Sequence, residues 1–258
     1  MSDDSHGRSE GMIVNRNPSS PCVSFLMERE SDCIHCAMRG STLFAELDPA
    51  DLDLRLKTIH NGLLRGGTVI YRRGDPADAA FTIRIGVVKL IAEDTDCGPR
   101  IVRILGRGAA IGLEAIEGGT YAHTGVAMRD LNLCRIPRLA LQTLGNQHPG
   151  LLTGLANKWR EHVYWSERCI EALYTGKQST RVPALICLIA EISGDPLSAV
   201  RLPRSSDMAS ILGCSPESVS RRMAKLKRTG LLKRVAPWTY SCEPDLLARA
   251  GMFEASED

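Results

Sequence analysis

Between residues 63 and 136 the apolar positions come in short runs broken by glycine, a pattern of strands rather than helices. The predicted strands cover 68–71, 81–83, 87–91, 101–105 and 131–136, punctuated by Gly67, Gly74, Gly86, Gly98 and Gly106. Strands this short imply an antiparallel β roll or barrel. On either side the period becomes helical. Leu47, Leu52, Leu56 and Ile59 line one side of a helix predicted over 43–59. Beyond the roll, Leu152, Ala156, Trp159, Val163, Ser166, Ile170 and Leu173 recur at steps of 4, 3, 4, 3, 4 and 3, which is a heptad seam. Such a strip needs a partner helix. A second copy of the chain supplies one, which makes 148–176 a dimerisation helix; packing on the chain's own roll is the alternative. Another apolar helix is predicted over 182–193.

The stretch 205–232 carries the most specific pattern. Met208, Ala209, Ile211 and Leu212 form the inner face of a short helix with Ser205 or Ser206 as its cap, and Gly213 makes a turn. Ser215 caps a second helix, Pro216 fits its first position, and Glu217 suits the dipole of its first turn. Val219, Met223 and Leu226 face inward. Glu217, Ser218, Arg221, Arg222, Lys225 and Arg228 face out, and Gly230 ends the helix. This is a helix-turn-helix, whose second helix enters the DNA major groove. Segments 231–235 and 239–242 then fit a two-stranded wing.

Charge supports that reading. Between Arg201 and Arg234 nine lysines and arginines stand against Asp207 and Glu217, a net of +7 in a chain whose total is +2. Phosphate neutralisation needs that local excess. A solvated amphipathic helix is the alternative for a basic face alone, but it explains neither the caps nor the turn.

The 258 residues allow one large or two small domains, and 43% hydrophobic with 24% charged residues is ordinary for a globular protein. No basic segment followed by an apolar run opens the chain, and the longest apolar stretch, 182–190, is too short to span a bilayer and holds Pro183. We expect a cytoplasmic protein without membrane contact. Paired carboxylates, nucleophile–base pairs and nucleotide-binding glycine loops are missing, so no enzyme is expected.

Glu217-Ser218-Val219-Ser220-Arg221 followed by Gly230-Leu231-Leu232 resembles the recognition helix and wing of the Crp/Fnr transcription regulators. The run from Gly74-Asp75 to Gly86-Val87-Val88-Lys89 is similar to the same family's cyclic-nucleotide-binding roll, so the resemblance spans roughly 40–250. It implies an α+β fold with an N-terminal antiparallel β roll, a long dimerisation helix and a C-terminal winged helix-turn-helix. The corresponding domains are a disordered tail 1–20, a sensor domain 21–147, the helix 148–176 and the DNA-binding domain 177–258. In the Fnr branch a Glu, a Ser and an Arg at this spacing read TTGAT half-sites, roles that fall on Glu217, Ser220 and Arg221, with Arg222 and Lys225 beside them. The implied partners are promoter DNA, RNA polymerase and a second copy. The cyclic-AMP receptors of the family hold the cyclic phosphate with a Gly-Glu pair and a following Arg-Ser or Arg-Thr. Here Gly112-Leu113-Glu114 and Ala122-His123-Thr124 stand instead, with no arginine, so cyclic nucleotide is not expected.

Nine cysteines in an expected reducing compartment suggest ligands rather than disulfides. The C-x-x-C pair Cys33 and Cys36 serves zinc, iron–sulfur and redox sites alike. The resemblance is more specific: a close C-x-x-C pair and a distant cysteine before Ile-Pro, here Cys134, belong to the [4Fe–4S] site of the oxygen-sensing Fnr branch. Where many relatives carry the third close cysteine this chain has Phe44, and Cys22 is the nearby substitute. The implied ligands are Cys22, Cys33, Cys36 and Cys134, and the implied signal is oxygen or redox state. A structural zinc on Cys22, Cys33, His35 and Cys36, haem on His60, His123, His148 or His162, a small ligand in the roll, or a constitutive regulator are the alternatives. Cys169, Cys187, Cys214 and Cys242 read as small apolar filler.

Overall fold

The computed structural model describes residues 23, 25–48, 58–93, 98–174 and 180–243. The expectations for Cys22, Leu52, Leu56 and the tail 1–20 lie outside these residues. The described fold is α+β. A five-stranded antiparallel sheet has the order β1 (Met27–Glu30), β2 (His60–Leu64), β9 (Leu131–Pro137), β4 (Ala79–Ile85), β7 (Ala110–Ile111). A four-stranded sheet has the order β3 (Val69–Tyr71), β8 (Thr124–Ala127), β5 (Val88–Ala92), β6 (Arg100–Leu105). Phe81 and Ile83 from β4 and Leu133 and Ile136 from β9 are almost wholly excluded from water in their common core. Tyr71 stacks on Tyr121 with ring centroids 4.0 Å apart, and the Tyr121 hydroxyl donates to the Ala79 carbonyl at 2.7 Å.

Two helices follow, α1 (Arg138–Gln147) and the long α2 (Gly150–Tyr174). The start of α2 sits tightly on the turn at 43–47: a Cβ on Gly154 would fall 2.3 Å from the Leu43 carbonyl oxygen. Then come α3 (Arg181–Ser193), α4 (Ser205–Leu212) and α5 (Pro216–Arg228). A small sheet in the order β10 (Val200–Arg201), β12 (Thr239–Cys242), β11 (Leu232–Ala236) closes the C-terminal unit. Leu185, Ile186 and Leu188 of α3 form its centre.

The C-terminal unit is docked on the roll. The Ile101 amide of β6 donates to Ser210 Oγ of α4 at 3.0 Å, and Arg129 makes two hydrogen bonds to Asp195 at 2.9 and 3.3 Å. Gly106 meets α3 so closely that a Cβ there would lie 1.8 Å from the Ile192 carbonyl oxygen. Among the described residues no helix is long and apolar enough to cross a membrane.

Several expectations are corrected. Residues 43–48 form turns rather than a helix, and Ile59 precedes a strand. Neither Ser205 nor Ser206 caps α4, because the extended N-cap residue is Arg204 and no side chain bonds to the exposed amides. The helix α1 and the strands β1, β2, β7, β8 and β10 have no counterpart in the sequence reading.

Candidate functional site

The nucleic-acid interface is built around α5. Gly213 takes the left-handed conformation at the end of α4, with φ of 62°, and turns the chain into Ser215. Ser215 Oγ accepts from the Ser218 amide at 3.3 Å, satisfying one of the free donors of the first turn, while Pro216 needs no donor there. Val219, Met223 and Leu226 are buried, which fixes the rotation of the helix. Glu217, Ser220, Arg221 and Lys225 are exposed as a result, and Arg222 is half-buried. Arg221 Nη2 donates to Ser218 Oγ at 3.2 Å, which holds the guanidinium along the first turn. A hydrogen bond from its own backbone amide and one from the Ser215 hydroxyl hold the Glu217 carboxyl below its ordinary range, so it is an anionic acceptor at neutral pH.

Beside this face lies a basic groove of about 350 Å³ where Arg181 of α3 meets Arg222, Lys225 and Arg228 of α5. The wing packs on the other flank, with Lys227 Nζ 5.1 Å from the centre of the Tyr240 ring. Charged groups over an N-capped helix, with a groove of like charge beside it, match what a DNA backbone and major groove require.

A second cluster forms at the N-terminal edge of the roll. Cys33 and Cys36 lie in the turn after β1, and Cys134 lies on β9 opposite Asn61 and Thr82. Asn61 Nδ2 donates to Ser31 Oγ at 3.1 Å, and Ser31 Oγ is 3.8 Å from Cys134 Sγ. The three thiols share one neighbourhood. Burial, reinforced by Cys134 and Cys36, pushes the Cys33 thiol up to about 12; burial also raises Cys134, against the pull of Ser31 and Arg84. Without a cation Cys33 and Cys134 stay protonated, since burial penalises the thiolate. Among the described residues no three His, Cys, Asp or Glu side chains stand ready to hold a metal ion. His35 pairs with Asp32 at 3.0 Å and its side chain is 82% exposed, away from any buried site. Phe44 is buried in the roll core.

On α2, Leu152, Trp159, Val163 and Ile170 are more than half exposed, and Ala156 is exposed with them. Ser166 is half-buried and its hydroxyl donates to the His162 carbonyl of its own helix at 2.7 Å. Leu173 differs from the seam expectation: it is buried inside its own protomer with the α3 residues. In the roll, Glu114 accepts the Ala122 amide at 3.1 Å, and burial first, with the Arg103 and Arg73 guanidiniums acting in the same sense, lowers His123.

Residues 63–148 match the cyclic nucleotide-binding domain family, and residues 180–249 match the Crp-like helix-turn-helix domain family. The chain belongs to the Crp/Fnr family of transcription regulators. This Crp/Fnr protein is 25% identical over 219 residues to the transcriptional activator protein FnrA of Stutzerimonas stutzeri, covering 83% of this chain and 90% of that one. It is 28% identical over 204 residues to the cyclic AMP receptor protein of Thermus thermophilus, covering 78% and 92%. The solved structure of FixK2 from Bradyrhizobium japonicum shares its fold with a TM-score of 0.64 at 18% identity, covering 77% of this chain and 98% of that one. The Crp-like helix-turn-helix makes this family member a DNA-binding transcription regulator. The basic groove with Arg181 and the docking of α4 on the roll were not read from the sequence; both depend on residues far apart in the chain.

Proposed function

We propose that this regulator binds promoter DNA as a dimer paired along α2, reads TTGAT-type half-sites, and responds to oxygen or redox state through a [4Fe–4S] cluster. The presentation of Glu217, Ser220 and Arg221 on the first turns of an N-capped, basic α5 supports the DNA reading best. Arg221 donates to guanine O6 and N7, Glu217 accepts from cytosine N4, and Arg222 and Lys225 neutralise phosphates. The exposed strip of Leu152, Trp159, Val163 and Ile170 supports pairing, and two recognition helices then meet half-sites one DNA turn apart.

The cluster reading is supported by the nearness of the half-buried Cys33, Cys36 and Cys134, which would have to draw closer together to share a metal and whose thiols a metal cation would convert to thiolates. Cys22 is the fourth ligand in this reading. A bound cluster supplies reversible one-electron chemistry and oxygen lability; the protein's part is to gather the thiols and exclude water from them. Phe44, at the position where many relatives carry the third close cysteine, favours the second reading: the same regulator without a cluster. Zinc on His35 finds no support, since that side chain is exposed and engaged by Asp32.

Anaerobic purification followed by iron, acid-labile sulfide and visible-absorption measurements tests the first reading. Four irons and four sulfides per chain with a broad visible band that bleaches in air are expected. A colourless, iron-free protein that still binds DNA establishes the second reading.

A further inference from the structure

An apolar-walled cavity between the roll and the C-terminal unit belongs to neither the DNA interface nor the thiol cluster. It measures about 410 Å³, within the range of small-molecule sites, and such sites favour domain boundaries. Val87 and Ile104 of the roll and Ile189 and Ile192 of α3 form its apolar wall. Met128 stands at the edge, and the Pro237–Trp238 turn of the wing and the 201–204 segment close the rim.

The charges on this rim do not cancel. Arg129 is paired with Asp195, while Asp130, whose Oδ1 accepts only the neutral Gly66 amide at 3.1 Å, offsets one of the two remaining arginines and leaves the rim with an excess positive charge. Arg201 and Arg204 are exposed, and among the described residues neither guanidinium has a salt-bridge partner. Trp238 adds an aromatic face. The residue is 55% exposed although it borders an apolar cavity. Its φ of 59° is the one left-handed value found for a residue other than glycine among the described residues. Pro237 and Trp238 form the turn between β11 and β12, which are paired with a bulge at Arg234–Ala236, and a left-handed residue is what such a hairpin turn requires, so the turn fixes where the indole stands. The Leu202 amide donates to the Trp238 carbonyl at 2.8 Å and holds the turn over the cavity.

We propose that this cleft is a binding site for a compact aromatic organic anion, its ring system against Trp238 and the Val87–Ile104–Ile192 wall and its carboxylate or sulfonate on Arg201 and Arg204. The site exists only while the two units are docked. A ligand in it therefore favours the docked arrangement over any other orientation of the DNA-binding unit.

Fluorescence titration of the full chain with the anionic dye anilinonaphthalenesulfonate, and in parallel with its uncharged analogue phenylnaphthylamine, tests the assignment. Replacing both arginines, Arg201→Ala with Arg204→Ala, should weaken the anionic dye about tenfold or more while leaving the uncharged analogue unchanged. Met128→Trp, which fills the edge of the cleft, should weaken both dyes, with unchanged circular dichroism as the folding control. If Met128→Trp does not fold, the arginine pair, at exposed positions, carries the test alone. Equal loss of both dyes in the arginine variant, or titrations of either folded variant that coincide with the parent's, would overturn the proposal.

Discussion

Lys89 on β5 and Asp207 in the first turn of α4 form an ion pair across the boundary between the roll and the helix-turn-helix, with Nζ 2.5 Å from Oδ1 and both side chains largely buried. The pair ties the sensor sheet to the helix that positions α5. It also puts a negative charge at the start of α4, where the helix dipole favours one and no side-chain cap exists. Removing one partner leaves the other charge poorly solvated, a loss between that of exposed and fully buried pairs, roughly 1–3 kcal/mol. Lys89→Met should therefore speed hydrogen exchange of the α4 amides by about tenfold or more, because undocking exposes them. Adding Asp207→Leu should restore part of the protection, since apolar replacement of both partners removes the stranded charge. Unchanged exchange in Lys89→Met would show that the pair does not hold the units together.

Arg221 and Lys225 should separate sequence reading from simple charge neutralisation. Arg221→Ala is expected to lose about 1–3 kcal/mol on a TTGAT…ATCAA duplex and much less on unrelated DNA, as a bidentate guanine contact does. Lys225→Ala should weaken all sequences alike and lower the slope of log affinity against log salt by about 1 per contact. Titrations at several salt concentrations distinguish the two behaviours. Equal binding of Arg221→Ala and the parent to the specific duplex rules out the base contact.

The helix-turn-helix was legible because each signal in it has a local cause. Ser215, Pro216 and Gly213 act within a few residues of themselves, and they sit where a cap, a first helical position and a left-handed turn are needed. The strands that escaped notice lack such signals. β1 is Met27-Glu28-Arg29-Glu30 and exposed throughout, so no alternation marks it, while β8 is buried on both faces and includes Gly125. Ser205 and Ser206 have the right chemistry for a cap, yet the chain enters the helix one residue earlier, at Arg204. The grouping of Cys134 with Cys33 and Cys36 came from family resemblance alone, because strand pairing brings Cys134 to the N-terminal edge across about a hundred residues. The Lys89–Asp207 pair joins residues 118 positions apart, and nothing local announces it.

His162, near the middle of α2, should make the fold acid-sensitive. Burial first and the Arg103 guanidinium second lower its imidazole to about 4, with Lys158 acting in the same sense and Glu161 and a hydrogen bond to the Ala110 backbone opposing. Arg103 is fixed there by its own bond to the His162 carbonyl at 3.1 Å. The unfolded chain, with an ordinary value of 6.5, binds the proton more tightly than the native state. Stability is therefore fully present above about pH 6.5 and falls as the pH drops toward about 4, by roughly 1–3 kcal/mol after allowance for solvent screening. Urea unfolding of the parent and His162→Gln across this range measures it. A parent curve no steeper than that of the variant would refute the assignment.

The four proposed ligands should behave as a set. Cys33→Ala, Cys36→Ala, Cys134→Ala and Cys22→Ala should each abolish stable cluster assembly, whereas Cys187→Ala, in the buried core of the C-terminal unit, should leave iron and sulfide content unchanged. Iron and sulfide analysis after anaerobic reconstitution reads this directly. Retention of four irons in Cys22→Ala would show that another residue completes the set.

Ser166 is expected to keep the protein dimeric without any cofactor. It lies at the centre of the seam between Val163 and Ile170, which are 57% and 56% exposed on the protomer and need cover. Its hydroxyl is already satisfied by the His162 carbonyl at 2.7 Å, so the position places a neutral, hydrogen-bonded group in the pair. An acidic residue here would face its own copy across a partly desolvated seam, where like charges cost several kcal/mol, enough to split a marginal dimer. Glu167 is exposed and off the a and d positions, and Glu161 is turned to Lys158 at 2.8 Å, so neither supplies that repulsion. Pairing is then constant, and a signal acts by changing how the DNA-binding units are held rather than by assembling the dimer. Sedimentation of cofactor-free protein at micromolar concentration should give a dimer, and Ser166→Asp should give a monomer. A parent protein that sediments as a monomer would remove both the seam and the mode of signalling built on it.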